Sequence, residues 1–252
     1  MSKTKINLPN GLECYCFGKE ETEYIFGEVF TAKHYLMNGI SINDGDCIFD
    51  VGANIGLFVL FINQLQKNGV KVYAFEPVKQ IFDVLRDNVS LHSDTNVSLF
   101  NYGFSSEYKS DKPFTFFPHM AGNSTTRLNE KLQEKDAMYT LLDKELVEYL
   151  YQDSEQTFCQ LKTLSSTISE LGIESIDLLK IDVEGDEYAV LQGINEEDWS
   201  KLKQIVIEVH DIEDRLENIQ NLLKLHDFNV IVERNNLLPP TFNNYNLYAV
   251  RN

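Results

Sequence analysis

Apolar residues in this chain gather in short, nearly unbroken runs separated by longer stretches of helical periodicity. The runs at 47–51, 70–75, 97–101, 177–181, 204–209 and 228–233 read as strands covered on both faces, and a last strand follows at 245–250. Between them, 55–67, 78–91, 164–171, 186–192 and 212–226 place apolar residues three and four apart, the spacing of amphipathic helices. This alternation predicts a doubly wound α/β domain with a seven-stranded, mostly parallel sheet. The Asn243-Asn244 pair ahead of the last strand predicts a hairpin return, so that strand is antiparallel.

Two regions depart from the alternation. Residues 4–17 read as a hairpin around Pro9-Asn10-Gly11, and helical spacing runs from Glu20 to Met37, so 1–42 are expected to form a hairpin and helical cap on a main domain at 43–252. Between about 106 and 160 the pattern turns irregular and then into a charged helix from Asn129 to Tyr151. An insertion of that length in a compact domain suits a lid over a site.

Composition narrows the function. The chain has 252 residues, 43% of them hydrophobic, enough for a sizeable core. Lys and Arg number 22 against 39 Asp and Glu, a net charge of −17, which disfavours nucleic-acid grooves and anionic membranes as partners. Cys14, Cys16, Cys47 and Cys159 lack metal-ligand spacing, the N-terminus lacks an apolar signal core, and no apolar run is long enough to span a bilayer. A cytoplasmic protein with reduced thiols is expected; the oligomeric state stays open, a homodimer included.

Phe49-Asp50-Val51-Gly52-Ala53-Asn54-Ile55-Gly56 leaves a buried strand and enters a helix. Gly52 permits a tight turn and Gly56 a close approach. Asn54 stands where a dinucleotide fingerprint would carry its second glycine, so a pyrophosphate cofactor is disfavoured. The next strand ends in Glu76-Pro77, and a carboxylate there suits the two hydroxyls of a ribose. Together these residues suit S-adenosylmethionine, with Asp50 near its amino end, the Gly52–Gly56 backbone alongside and Glu76 on its ribose. Asn101 and Gly103, just past the third strand, fall near the expected place of the adenine.

Further strand ends supply chemistry. Asp182 and Glu184 follow the fourth strand, and Glu208 and His210 end the fifth. Methylating a hydroxyl requires loss of its proton; His210 is the candidate base, oriented by Asp182 or Glu184. A divalent cation on Asp182, Glu208 and His210 is the less favoured alternative, and no metal is assigned. His119, Asn123 and Ser124 in the insertion, together with Glu208, are candidate substrate contacts, with His119 a reserve base.

These segments resemble the FkbM-type methyltransferases: FDVGANIGLF at Phe49–Phe58, YAFEP at Tyr73–Pro77, LKIDVEGDEYAVLQG at Leu179–Gly193 and the trailing Glu208-Val209-His210. The resemblance spans about 43–250, and GNST at 122–125 is similar to forms found beside polyketide and peptide assembly lines. It implies a Rossmann-like class I methyltransferase fold, S-adenosylmethionine as donor with S-adenosylhomocysteine as product, and O-methylation of a natural-product hydroxyl. It also places Asp50, Gly52, Asn54 and Glu76 on the cofactor motif, and Asp182, Glu184 and His210 on the acidic motif. The substrate is expected free or carrier-bound. Acidic carriers would repel this chain, so a free small molecule is preferred unless Lys109–Lys112 serve as a dock. An N-methyltransferase and a nucleotide-binding module without chemistry are the rival readings. A short-chain NAD oxidoreductase is disfavoured because Tyr108 and Lys112, its required pair by spacing, lie in the irregular segment.

Overall fold

The computed structural model describes residues 3–92, 96–235 and 242–251. A hairpin, β1 (Thr4–Asn7) and β2 (Glu13–Cys16), leads into α1 (Lys19–Phe26), which runs on through a π-helical segment at Gly27–Ala32. The alternating part then begins with β3 (Cys47–Val51), α2 (Leu57–Gln64), β4 (Lys71–Phe75), α3 (Lys79–Leu91) and β5 (Val97–Phe100). The insertion holds β6 (Gly103–Phe104), β7 (Lys109–Phe116), α4 (Leu128–Met138), α5 (Lys144–Tyr151) and β8 (Glu155–Lys162). It is followed by α6 (Leu164–Leu171), β9 (Leu178–Ile181), α7 (Glu187–Gln192), β10 (Gln204–His210), α8 (Arg215–Leu225), β11 (Phe228–Arg234) and β12 (Asn244–Arg251).

The main sheet has seven strands in the order β11-β12-β10-β9-β3-β4-β5. Strands β10, β9, β3, β4 and β5 run parallel, and β12 is antiparallel to both its neighbours, as the hairpin return implied. Successive side chains of β3 point to opposite faces, so Ile48 joins a core under α2 and α3 while Phe49 and Val51 join one under α6, α7 and α8. From β3 the chain winds outward to β4 and β5, then returns to place β9 and β10 on the other side. Ligands in doubly wound sheets bind at the carboxyl edge of such a reversal.

The insertion is more regular than its sequence suggested. β7 and β8, eight residues each, pair antiparallel with a register shift between Lys109 and Lys112 and join β6 in a second, three-stranded sheet. β7 escapes a hydrophobic-pattern reading because its first half, Lys109–Lys112, is solvated and Pro113 interrupts it. The single charged helix expected over 129–151 is two, α4 and α5, broken at residues 139–143.

Candidate functional site

One cavity of about 830 Å³ opens at the carboxyl edge of the sheet, at the reversal between β3 and β9. That volume lies toward the upper end for small-molecule pockets, enough for a cofactor and part of a second ligand. Its floor comes from the loops after β3, β4, β9 and β10; α1 and the helices of the insertion close it over.

At the β3–β4 end, the loop is held by short-range geometry. Gly52 (φ +78°) turns the chain in the left-handed region, and a Cβ there would lie 1.8 Å from the Asp182 carbonyl oxygen. No other residue fits. Gly56 (φ +93°) starts α2 against Leu85 and does not itself line the cavity. Glu76 is buried on the cavity wall, with Oε2 accepting from the Asn54 amide at 3.1 Å and Oε1 from the Val78 amide at 2.9 Å. Each oxygen keeps a second lone pair, so the carboxylate is fixed in orientation yet can still accept two hydroxyls. Burial pushes its pKa up to about 7, and the two amide bonds oppose that shift. A nucleoside with a free cis-diol fits these groups.

Beneath this floor lies a buried ion pair absent from the sequence reading. Lys180, in the fully buried strand β9, sits in register with Asp50 of β3, 3.0 Å from its carboxylate. The ammonium also donates to the Gly52 carbonyl at 3.0 Å, stands 3.5 Å from Asp182 and lies over the Tyr35 ring. Tyr35 in turn donates to Asp182 at 2.8 Å. Asp50 therefore faces Lys180 and does not line the cavity, contrary to its expected place beside a cofactor's amino end. A lysine in an otherwise apolar central strand was the available signal, because such a charge requires a buried counter-charge nearby.

The far end of the cavity is dominated by carboxylates. Glu184, in the left-handed region at φ 55°, accepts from Lys131 of α4 at 2.7 Å, and Lys131 also holds Glu134 and Asn123. His210 lies between Glu187, 3.0 Å from Nδ1, and Glu184, 3.4 Å from Nε2. Burial would lower its pKa, but the two carboxylates together outweigh that and raise it to about 10. The ring is thus a cation at neutral pH, and the expected role of His210 as resting base does not fit its surroundings. Glu208 differs: burial, then repulsion from Asp182, push its pKa up to about 8 despite the His210 cation, and Asn244 donates to it at 2.6 Å. Glu28 of the π-helical segment after α1 lines the same end and is raised to about 7, mainly by burial.

Of the residues singled out from sequence, Gly52, Asn54, Glu76, Pro77, Gly103, Asn123, Ser124, Asp182, Glu184, Glu208 and His210 line this cavity together. Asn101 does not; its side chain donates to the Glu76 and Pro77 carbonyls and braces that strand tip. His119 is also elsewhere, packed on Tyr149 and 3.5 Å from Asp153. It is neither a substrate contact nor a reserve base here. Among the described residues, no group of three or more His, Cys, Asp or Glu side chains is arranged to hold a metal ion. Tyr35, Glu28, Lys131 and Asn244 were missed because they come from the cap, the insertion and the antiparallel strand, whose approach to the sheet edge no local pattern encodes.

The family description "Methyltransferase FkbM domain" matches residues 50–233. The chain is 34% identical to the 31-O-demethyl-FK506 methyltransferase of Streptomyces tacrolimicus, over 94% of this chain and 93% of that one. It is 33% identical to the AMB antimetabolite synthetase AmbE of Pseudomonas aeruginosa, over 98% of this chain but 12% of the synthetase. Among solved structures, the methyltransferase FkbM of Methylobacillus flagellatus superposes with a TM-score of 0.57 at 13% identity, over 89% of this chain and 47% of that one, a likeness of fold.

Proposed function

Since the chain belongs to the FkbM methyltransferase family, we propose that it transfers a methyl group from S-adenosylmethionine to a hydroxyl of a small-molecule natural product. The observation that carries this reading is one cavity with an amide-anchored, two-acceptor carboxylate at Glu76 and, at its other end, the Glu208 carboxyl with its pKa raised to about 8. We also infer that residues 1–42 serve as a cap and 106–160 as a lid, because both segments line that cavity.

Bound S-adenosylmethionine supplies an electrophilic methyl group. Glu76 would hold its ribose hydroxyls, and the Gly52–Asn54 backbone, which lines the same wall, would border it. Asp182, oriented by Tyr35 and Lys180, would receive its amino-acid end. Glu208, once ionised, would take the proton of an acceptor hydroxyl as a C–O bond replaces the methyl–sulfur bond and adenosylhomocysteine leaves, and the neighbouring His210 cation favours that ionised form. Most of the acceleration comes from holding the acceptor oxygen in line with the methyl group.

Incubation with methyl-labelled S-adenosylmethionine and hydroxyl-bearing acceptors tests the activity; label found in an acid-stable ether is the expected product. A second reading, methylation of an amine, has support in Glu28 and Glu208, which once ionised could take a proton from a bound ammonium and leave the neutral amine to attack. Label in an N-methyl product would select it. A carrier-bound acceptor is a further possibility, supported by the similar segment embedded within a much larger synthetase.

Two predictions follow from the acceptor end. Glu208 binds its proton up to about pH 8, so kcat/KM should rise with pH to that point and level above it. In Glu208→Gln the rise should vanish and kcat should fall by about 10²–10⁴; an unchanged profile would remove Glu208 from the reaction. By contrast, His119→Ala, a change outside the cavity, should leave kcat and KM as in the wild type.

A further inference from the structure

The cavity changes character along the insertion. Helix α4 lines it with Glu130, Lys131 and Glu134 in its first half and with Ala137 and Met138 at its end. The Lys131–Glu184 contact fixes the polar half above the tip of β9. Met138 lies seven residues farther on, about 10 Å along the axis at 1.5 Å per residue.

Beyond α4 the wall continues with Leu141 and Leu142, then with Leu146 and Leu150 of α5. Helix α5 carries two apolar stripes. Val147 and Tyr151, four apart, enter a small separate core with Phe117 and Met120; Leu150 packs against that core and also borders the cavity, where Leu146, four residues earlier, joins it. Leu141, Leu142 and Leu146 are 45%, 41% and 45% exposed. They are therefore leucines left in water at a cavity's edge, on a platform with its own core. Apolar surface grouped in this way marks a binding site, and its continuity with the cavity identifies the occupant as the ligand that enters there.

We propose that this leucine rim binds the apolar body of the methyl acceptor, which is therefore an amphiphile: a lipophilic skeleton at the rim, with a hydrogen-bond-donating group reaching inward to Glu208 in the same cavity. The identification of the occupant as an acceptor rests on the methyl-transfer reading above. Two other occupants, a second copy of this chain and a carrier protein, would cover the rim from outside and would not compete with a small ligand in the cavity.

The test uses the whole chain saturated with adenosylhomocysteine, with the neutral fluorophore N-phenyl-1-naphthylamine as probe and 1-decanol as competitor. The wild type should bind the probe saturably and release it to decanol but not to glycerol. A triple variant, Leu141→Gln, Leu142→Gln and Leu146→Gln, should weaken probe binding at least about tenfold. Because these side chains are solvent-facing, its melting temperature and adenosylhomocysteine affinity should match the wild type. Equal probe affinity in the two proteins would overturn the proposal. So would a wild-type dimer in sedimentation that the triple variant makes monomeric while probe affinity stays the same. If the variant weakens the probe as expected but adenosylhomocysteine binds neither protein, the cofactor reading fails and the rim stands.

Discussion

Adenosylhomocysteine should bind a Glu76→Gln variant about 100-fold more weakly than the wild type. The carboxylate offers two charge-assisted hydrogen bonds to a ribose, each worth roughly 1.5–3 kcal/mol, and about 3 kcal/mol corresponds to two orders of magnitude in Kd. Glutamine keeps the shape but turns one end into a donor. Since both carboxylate oxygens accept backbone amides, from Asn54 and Val78, that NH₂ must oppose one of them. Isothermal titration calorimetry reads the loss directly, and a wild-type Kd would take the ribose role from Glu76. The pH dependence provides a second check. With the pKa raised to about 7, ionised Glu76 becomes scarce below neutrality, so wild-type affinity should fall as pH drops through 7 and the variant should lack that component.

Lys180→Met is expected to be the most destabilising of the changes considered. It leaves Asp50 buried without its cation, and breaking a buried pair costs about 3–5 kcal/mol. For a chain of this size that is a fall in Tm of the order of 10 °C. The double variant Asp50→Leu, Lys180→Met removes the stranded charge and should recover most of the stability. It should not recover adenosylhomocysteine affinity, because the Gly52 carbonyl and Asp182 lose the ammonium that positions them. Thermal melts and calorimetry on the wild type and the two variants separate the two effects. Recovery of both stability and affinity would make the pair purely structural.

The seven strands of the sheet and the helices between them were legible because each strand lies between two covered faces and each helix buries one face. Those demands write themselves into local runs and spacings. Gly52 and Glu76 were legible for a similar reason: a left-handed turn after a strand and an acid at a strand tip are requirements of a few neighbouring residues. β7 was hidden because an edge strand with a solvated half needs no apolar alternation, and the break between α4 and α5 was hidden in a continuous charged stretch.

Protonation state and role were less accessible. The sequence placed His210 at the tip of β10 but could not show that Glu184 and Glu187, from another strand end and the helix after it, close on both ring nitrogens and hold the ring charged. It placed Asp50 in the glycine-loop motif, yet only the register of β3 against β9 turned that carboxylate toward Lys180. The sequence by itself determined the alternating fold, the family and the cofactor loop, since all three rest on short-range steric and burial constraints. The tertiary structure decided which carboxylates have their pKa raised toward neutrality, which acid faces the buried lysine and where the exposed leucines lie. Those depend on distances between segments far apart in the chain, and electrostatic energies in a buried site follow distance and burial, not order along the sequence.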